Sequence, residues 1–170
     1  MAEPTAALGR RSTVDYFLKI EGYPGESTDH KHKNEIDILS WSWREDQGGV
    51  DTSAGLSAGK VNFDTFNFTM HVNKSSPALF LACATGEHIK EALLTCRKAG
   101  KEQQEYLKVK FSDLLISGFK TGGAPDKVLP EDEIAINFTK IEFTYCPQTA
   151  GGKLEAAVVK NYDIRAQKGG

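Results

Sequence analysis

The chain has 170 residues, 39% of them hydrophobic and 26% charged, with a formal net charge of −2 at pH 7. That length suits one domain with a core of its own, and the intermixed acids and bases leave no field that would recruit nucleic acid or an anionic membrane. The longest apolar stretches, such as residues 77–84, fall well short of the ~18 to 20 residues that cross a bilayer, so no membrane insertion is expected.

Residues 1–12 carry Arg10 and Arg11 with no apolar segment after them, so they do not read as a cleaved secretory signal. Residues 1–13 are expected to be a flexible extension and 14–168 a single domain. The expected place of synthesis and folding is the cytoplasm, with any export by a route other than a cleaved signal. Val14, Tyr16, Leu18 and Ile20 alternate with polar neighbours, which is the period of a half-buried strand, and Gly22, Pro24 and Gly25 break it. After a polar segment, Leu39, Trp41 and Trp43 take one face of a second strand and Ser40, Ser42 and Arg44 the other; the tryptophan face is expected to be core.

Residues 47–59 read QGGVDTSAGLSAG, too glycine-rich and too poor in alternation for a regular element, so a long loop between strands is expected, of a length that is usually functional or disordered. In the next strand, 61–72, Val61 and Phe63 share one parity and Phe66, Phe68, Met70 and Val72 the other, which implies a bulge or bend near Asp64 and Thr65. Ser75, Ser76 and Pro77 open a short helix, with serine capping its free amides, and Gly86 closes it. Residues 88–98 are ambiguous, local propensity slightly favouring helix.

A long strand follows over Leu107, Val109, Phe111, Leu115 and Phe119. Another carries Ile134, Ile136 and Phe138 on one parity and Ile141, Phe143 and Tyr145 on the next, so it bends partway. A last strand is expected over 155–165. Strands with glycine-rich turns and one short helix imply a mainly β fold, an antiparallel barrel or sandwich, with the long bent strands favouring the barrel.

The search for chemistry returns little. Cys83, Cys96 and Cys146 have no close pair, so they read as buried thiols rather than disulfides or a zinc site. Asp29, His30, His32 and Glu35 are the metal candidates, at generic loop spacing; His71 and His88 stand apart. Gly59-Lys60 fails as a phosphate loop because Ala54 replaces the first glycine and Val61 the Ser/Thr. Asp126, Glu131, Asp132 and Glu133 offer acids for a glycosidase pair but no scaffold that places them. Three Asn-x-Ser/Thr sequons, at Asn67, Asn73 and Asn137, are read as coincidences. No catalytic residue and no cofactor is expected, and a monomeric β-barrel module for a peptide or carbohydrate is the alternative to a structural protein.

The runs DYFLKIEG (15–22), GES (25–27) and IDILSWSW (36–43) resemble, in wording and order, the Hcp family of bacterial type VI secretion, as do AGKV (58–61), KSSPAL (74–79), ACATG (82–86), RKAG (97–100), EYLK (105–108) and YDIR (162–165). The usual tryptophan near the last strand is Tyr162 here. The resemblance implies a tail-tube-like β-barrel of two sheets with one flanking helix, strand rather than helix at 88–98, and a homo-hexameric ring that stacks into a tube. The implied partners are a spike protein, a contractile sheath that expels the tube from the cytoplasm, and secreted effectors in the lumen. Under it, Gln47, Gly48, Gly49, Val50, Asp51, Thr52, Ser53, Ala54, Gly55 and Leu56 are expected to form a ring-stacking loop, and Ser40, Ser42 and Arg44 to face the lumen and touch cargo.

Overall fold

The structure, a computed structural model, describes residues 13–52, 55–99 and 102–170. In chain order its elements are β1 (Val14–Ile20), β2 (Ile36–Asp37), β3 (Ser40–Ser42), β4 (Glu45–Gln47), β5 (Val50–Thr52), β6 (Gly55–Ser57), β7 (Val61–Phe63) and β8 (Phe66–His71). They continue with α1 (Ser76–Thr85), β9 (His88–Lys98), β10 (Glu105–Gly122), β11 (Glu131–Tyr145), β12 (Val158–Asp163) and β13 (Lys168–Gly169). The mainly β, antiparallel class with one short helix is as expected. Of the expected N-terminal extension, all but Thr13 lies outside the described residues.

The barrel strands hydrogen-bond as one sheet, joined by two small ribbons, and the sheet is not closed. Nine strands form one branched sheet, β13-β12-β11-β10-β9-β1-β2, with β8 also on β11 and β3 on β8, and the path does not close. The branch lies in β11. One edge follows β10 throughout, whereas the other pairs with β8 over residues 131–136 and with β12 over 140–145. The changeover falls at Thr139, opposite Asp113, whose φ of 49° interrupts β10 there. Thr139 donates to the Ser112 carbonyl at 3.2 Å and its own carbonyl accepts from Ile164 at 2.8 Å, which accounts for the parity switch between Phe138 and Ile141. The switch expected at Asp64 and Thr65 is the gap between β7 and β8.

Residues 88–98 are strand, with β1 on one edge and β10 on the other. β1 pairs with 92–98 and β10 with most of 88–97, and the weak helical preference of Glu91, Ala92 and Leu93 yields to these ladders. The core is built on Phe66, Phe68, Phe111, Leu18, Leu94 and Ile136, each at most 2% exposed. The rings of Phe66 and Phe111 lie 4.5 Å apart, and Phe111 reaches Phe138 at 4.8 Å.

Three expectations need correcting. Leu39 is 45% exposed and Ile38 takes the inward position. The chain changes partners between them, Ile38 N–H donating to Tyr16 and Leu39 N–H to Thr69, which resets the parity. Serine does not cap α1: Ser75 already has helical dihedrals, and its hydroxyl donates to Asn73 Oδ1 at 2.6 Å instead. Ser76 Oγ donates to the buried carboxylate of Asp132 at 2.5 Å, while Gly86, at φ 67°, closes the helix as expected. Of the three cysteines only Cys96 is fully buried; Cys83 on α1 and Cys146 just past β11 are half-buried.

Candidate functional site

The glycine-rich segment is not an irregular loop. It is an arm of two short ribbons, β4 paired with β7 at its base and β5 with β6 beyond. Sequence reading took its glycines for breakers, whereas at the base they allow two backbones to touch. A Cβ on Gly59 would lie 1.5 Å from the Gly48 carbonyl oxygen, closer than any side chain tolerates. Gln47 Nε2 locks the pair by donating to the Gly59 carbonyl at 2.6 Å, and Arg44 meets Asp46 at 2.8 Å on the surface. Of the expected stacking residues, Gln47, Gly48 and Gly49 are exposed, Val50, Asp51 and Thr52 form β5, and Gly55 and Leu56 belong to β6; Ser53 and Ala54 lie outside the described residues.

Ser40, Ser42 and Arg44 are all exposed, opposite the half-buried Trp41 and Trp43. Ser40 and Thr69 share a hydroxyl hydrogen bond of 2.6 Å, and Ser42 lies opposite Asn67. With Lys120 and Glu133, paired at 3.0 Å, they line a shallow trough of about 690 Å³. Trp41, Phe68, Phe119 and Ile134 line it too, and among its lining residues there is neither a buried nucleophile nor a cluster of like charges. Arg44 turns toward the arm and does not line the trough.

The metal candidates are engaged otherwise. His32, 6% exposed, stacks on Phe17 with ring centroids 4.3 Å apart and places Nδ1 and Nε2 each 2.9 Å from a carboxylate, Glu35 and Glu105. Asp29 binds Arg97 in a fork-to-fork pair at 3.0 and 2.7 Å. That guanidinium also reaches Asp15 at 2.9 Å and lies 4.7 Å from the centre of the Phe17 ring on which His32 stacks. His30 is exposed and outside this network. Arg97 and Glu105, which tie the 23–36 segment to β9 and β10, were missed in the sequence; the one signal was a charge directly following the uncharged run Leu94, Thr95 and Cys96. Three of the glycosidase candidates are engaged otherwise as well. Glu131 and Glu133 pair with Lys127 and Lys120, while Asp132, between them on the strand, points the other way to Ser76.

Compared with known proteins, residues 17–145 match the family model described as "Type VI secretion system effector, Hcp". The chain is 41% identical over 155 residues to protein hcp1 of Pseudomonas aeruginosa, an alignment covering 89% of this chain and 96% of that protein. Among solved structures it is similar to Hcp1 of Salmonella typhimurium, with a TM-score of 0.76 at 33% identity over 93% of this chain and 99% of the other. A type VI secretion system effector from Yersinia pestis matches with a TM-score of 0.73 at 34% identity, over 88% and 99% of the two chains.

Proposed function

The chain belongs to the Hcp family of type VI secretion proteins, and from that premise we propose that it is a structural subunit of the secretion tube and not an enzyme. Six copies close into a ring, rings stack into a tube mounted on the spike protein, and contraction of the sheath expels it with effectors in the lumen. Made in the bacterial cytoplasm, the protein leaves through that apparatus.

The observation that carries this reading is a family match spanning most of the chain, on a sheet that leaves strand edges for a neighbour. Among the described residues β3 has a strand on one side only, and β13 covers β12 only from Asn161 onward. A ring needs a head-to-tail contact whose rotation closes, and open edges are natural places for it. The arm at 47–56 reaches the adjacent ring, and the trough bearing Ser40 and Ser42, with Arg44 at its margin, faces the lumen. Size-exclusion chromatography with light scattering should give six times the 18.6-kDa chain; a monomer at every concentration would overturn the proposal. For the lumen assignment, Ser42→Trp should keep the rings while weakening effector retention. Unchanged retention would return the trough to a plain solvated sheet face.

A further inference from the structure

Between the base of the arm and the end of the sheet runs a cleft of about 760 Å³, a size within the range of small-molecule sites. The arm supplies one wall, with Lys60 and Phe63 at β7 and Glu45 on β4; β11 and β12 supply the other, with Phe143, Lys160 and Tyr162. Phe143 and Lys160 are direct cross-strand partners and so share a face, which sets an aromatic ring beside an ammonium group.

The aromatic lining is formed in advance. Phe63 stacks on Trp43 at 6.2 Å with the rings 12° apart, and it meets Tyr162 at 5.6 Å. Phe143 reaches Trp43 at 6.3 Å, and Phe63 touches Phe138 of the core edge to face at 6.1 Å, so the wall is anchored from behind. The charges of the cleft, by contrast, do not balance. Lys60 and Lys160 stand one on each wall with no ion-pair partner among the described residues, and Glu45 is the one carboxylate in the lining. On the opposite face of the same sheet, Lys110 and Lys140 are neutralised by Glu91 and Asp163 at 3.3 and 3.4 Å. The side-chain amides of Asn161 and Gln167 add hydrogen-bond donors to the lining.

A purely apolar ligand would leave both ammonium groups unused, and a neutral sugar would stack on the rings without gaining from their charge. A flat apolar body that carries a negative group uses both parts of the site. The compact lysine charge accepts a carboxylate or a sulfonate alike, and against an apolar wall the pairing is stronger than in open water.

We propose that this cleft binds a small organic anion with a flat aromatic body, an aromatic carboxylate or sulfonate, whose ring stacks on the aromatic wall and whose charge is held by Lys60 and Lys160. The inference goes beyond the tube reading and does not depend on it. Naphthoate is the probe and naphthalenemethanol its neutral counterpart, each titrated into the full chain by isothermal calorimetry with tryptophan fluorescence as the second signal. Naphthoate should saturate at one molecule per chain, quench the fluorescence and bind about tenfold more tightly than the alcohol. Lys60→Gln combined with Lys160→Gln alters two exposed side chains, so the melting temperature should hold while naphthoate falls to the affinity of the alcohol. Lys110→Gln combined with Lys140→Gln, on the opposite face, should leave naphthoate binding unchanged. An absence of saturable binding, equal affinity for acid and alcohol, or undiminished binding by the cleft variant would each overturn the proposal. Displacement of naphthoate by cellobiose would overturn the anion assignment and make the cleft a carbohydrate site. Light scattering on the same samples records assembly separately, so failure of the titration leaves the ring reading standing.

Discussion

Arg97 is 3% exposed and holds two carboxylates from separate parts of the chain, Asp15 on β1 and Asp29 in the segment before β2. Such a group is worth little against an apolar isostere, but removing one partner strands the others. Arg97→Met should therefore destabilise the monomer by about 3 kcal/mol, at the low end for a broken buried network because Asp15 keeps contact with water. Urea unfolding checks it. The Arg97 hydrogen bond draws the Asp29 carboxyl down from its usual 3.8 to about 2, against the opposing effect of burial. A depressed carboxyl contributes stability that is fully present above its unfolded value and is lost as pH falls through the folded one. The chain should thus lose stability from about pH 4 down to about pH 2, and Asp29→Asn should be less stable at neutral pH and show a smaller acid loss; equal acid slopes for the two proteins would contradict this.

At the scale of elements, the arm is the segment where a point change has the sharpest expected effect. Gly59→Ala drives a methyl group into the Gly48 carbonyl and should part β4 from β7. Since the arm forms its own two small sheets, the core should melt as before. We expect Gly59→Ala, and deletion of 49–58, to leave hexamers intact while abolishing tubes in sedimentation assays; tubes from the deletion variant would reduce the arm to a spacer.

What the sequence disclosed follows from where the restraints lie. Alternation at Leu18 and Ile20, at Phe66, Phe68 and Met70, and at Val109 and Phe111 located strands because one face of each is buried. The β9 assignment came from family resemblance, since its strand state is imposed by β1 and β10 and not by its own residues. The ribbons of the arm escaped notice because their pairing depends on absent side chains, Gly48 against Gly59, and periodicity records only the side chains that are present. Leu39 was misplaced because a change of pairing partner leaves no mark on local pattern.

For the whole molecule, the sheet is the message. It is one branched sheet in which β11 serves two partners along one edge, and among the described residues that arrangement leaves β3 and the start of β12 uncovered on one side. Among the described residues, eleven large apolar side chains are at least 37% exposed. The chain's buried Arg97 is held by Asp15 and Asp29, and its buried His32 by Glu35 and Glu105. The central claim is that this geometry closes. Negative-stain electron microscopy of the purified protein tests it most directly: the account predicts six-fold rings with an open centre, some stacked end to end, and a field of small single particles at micromolar concentration would contradict it.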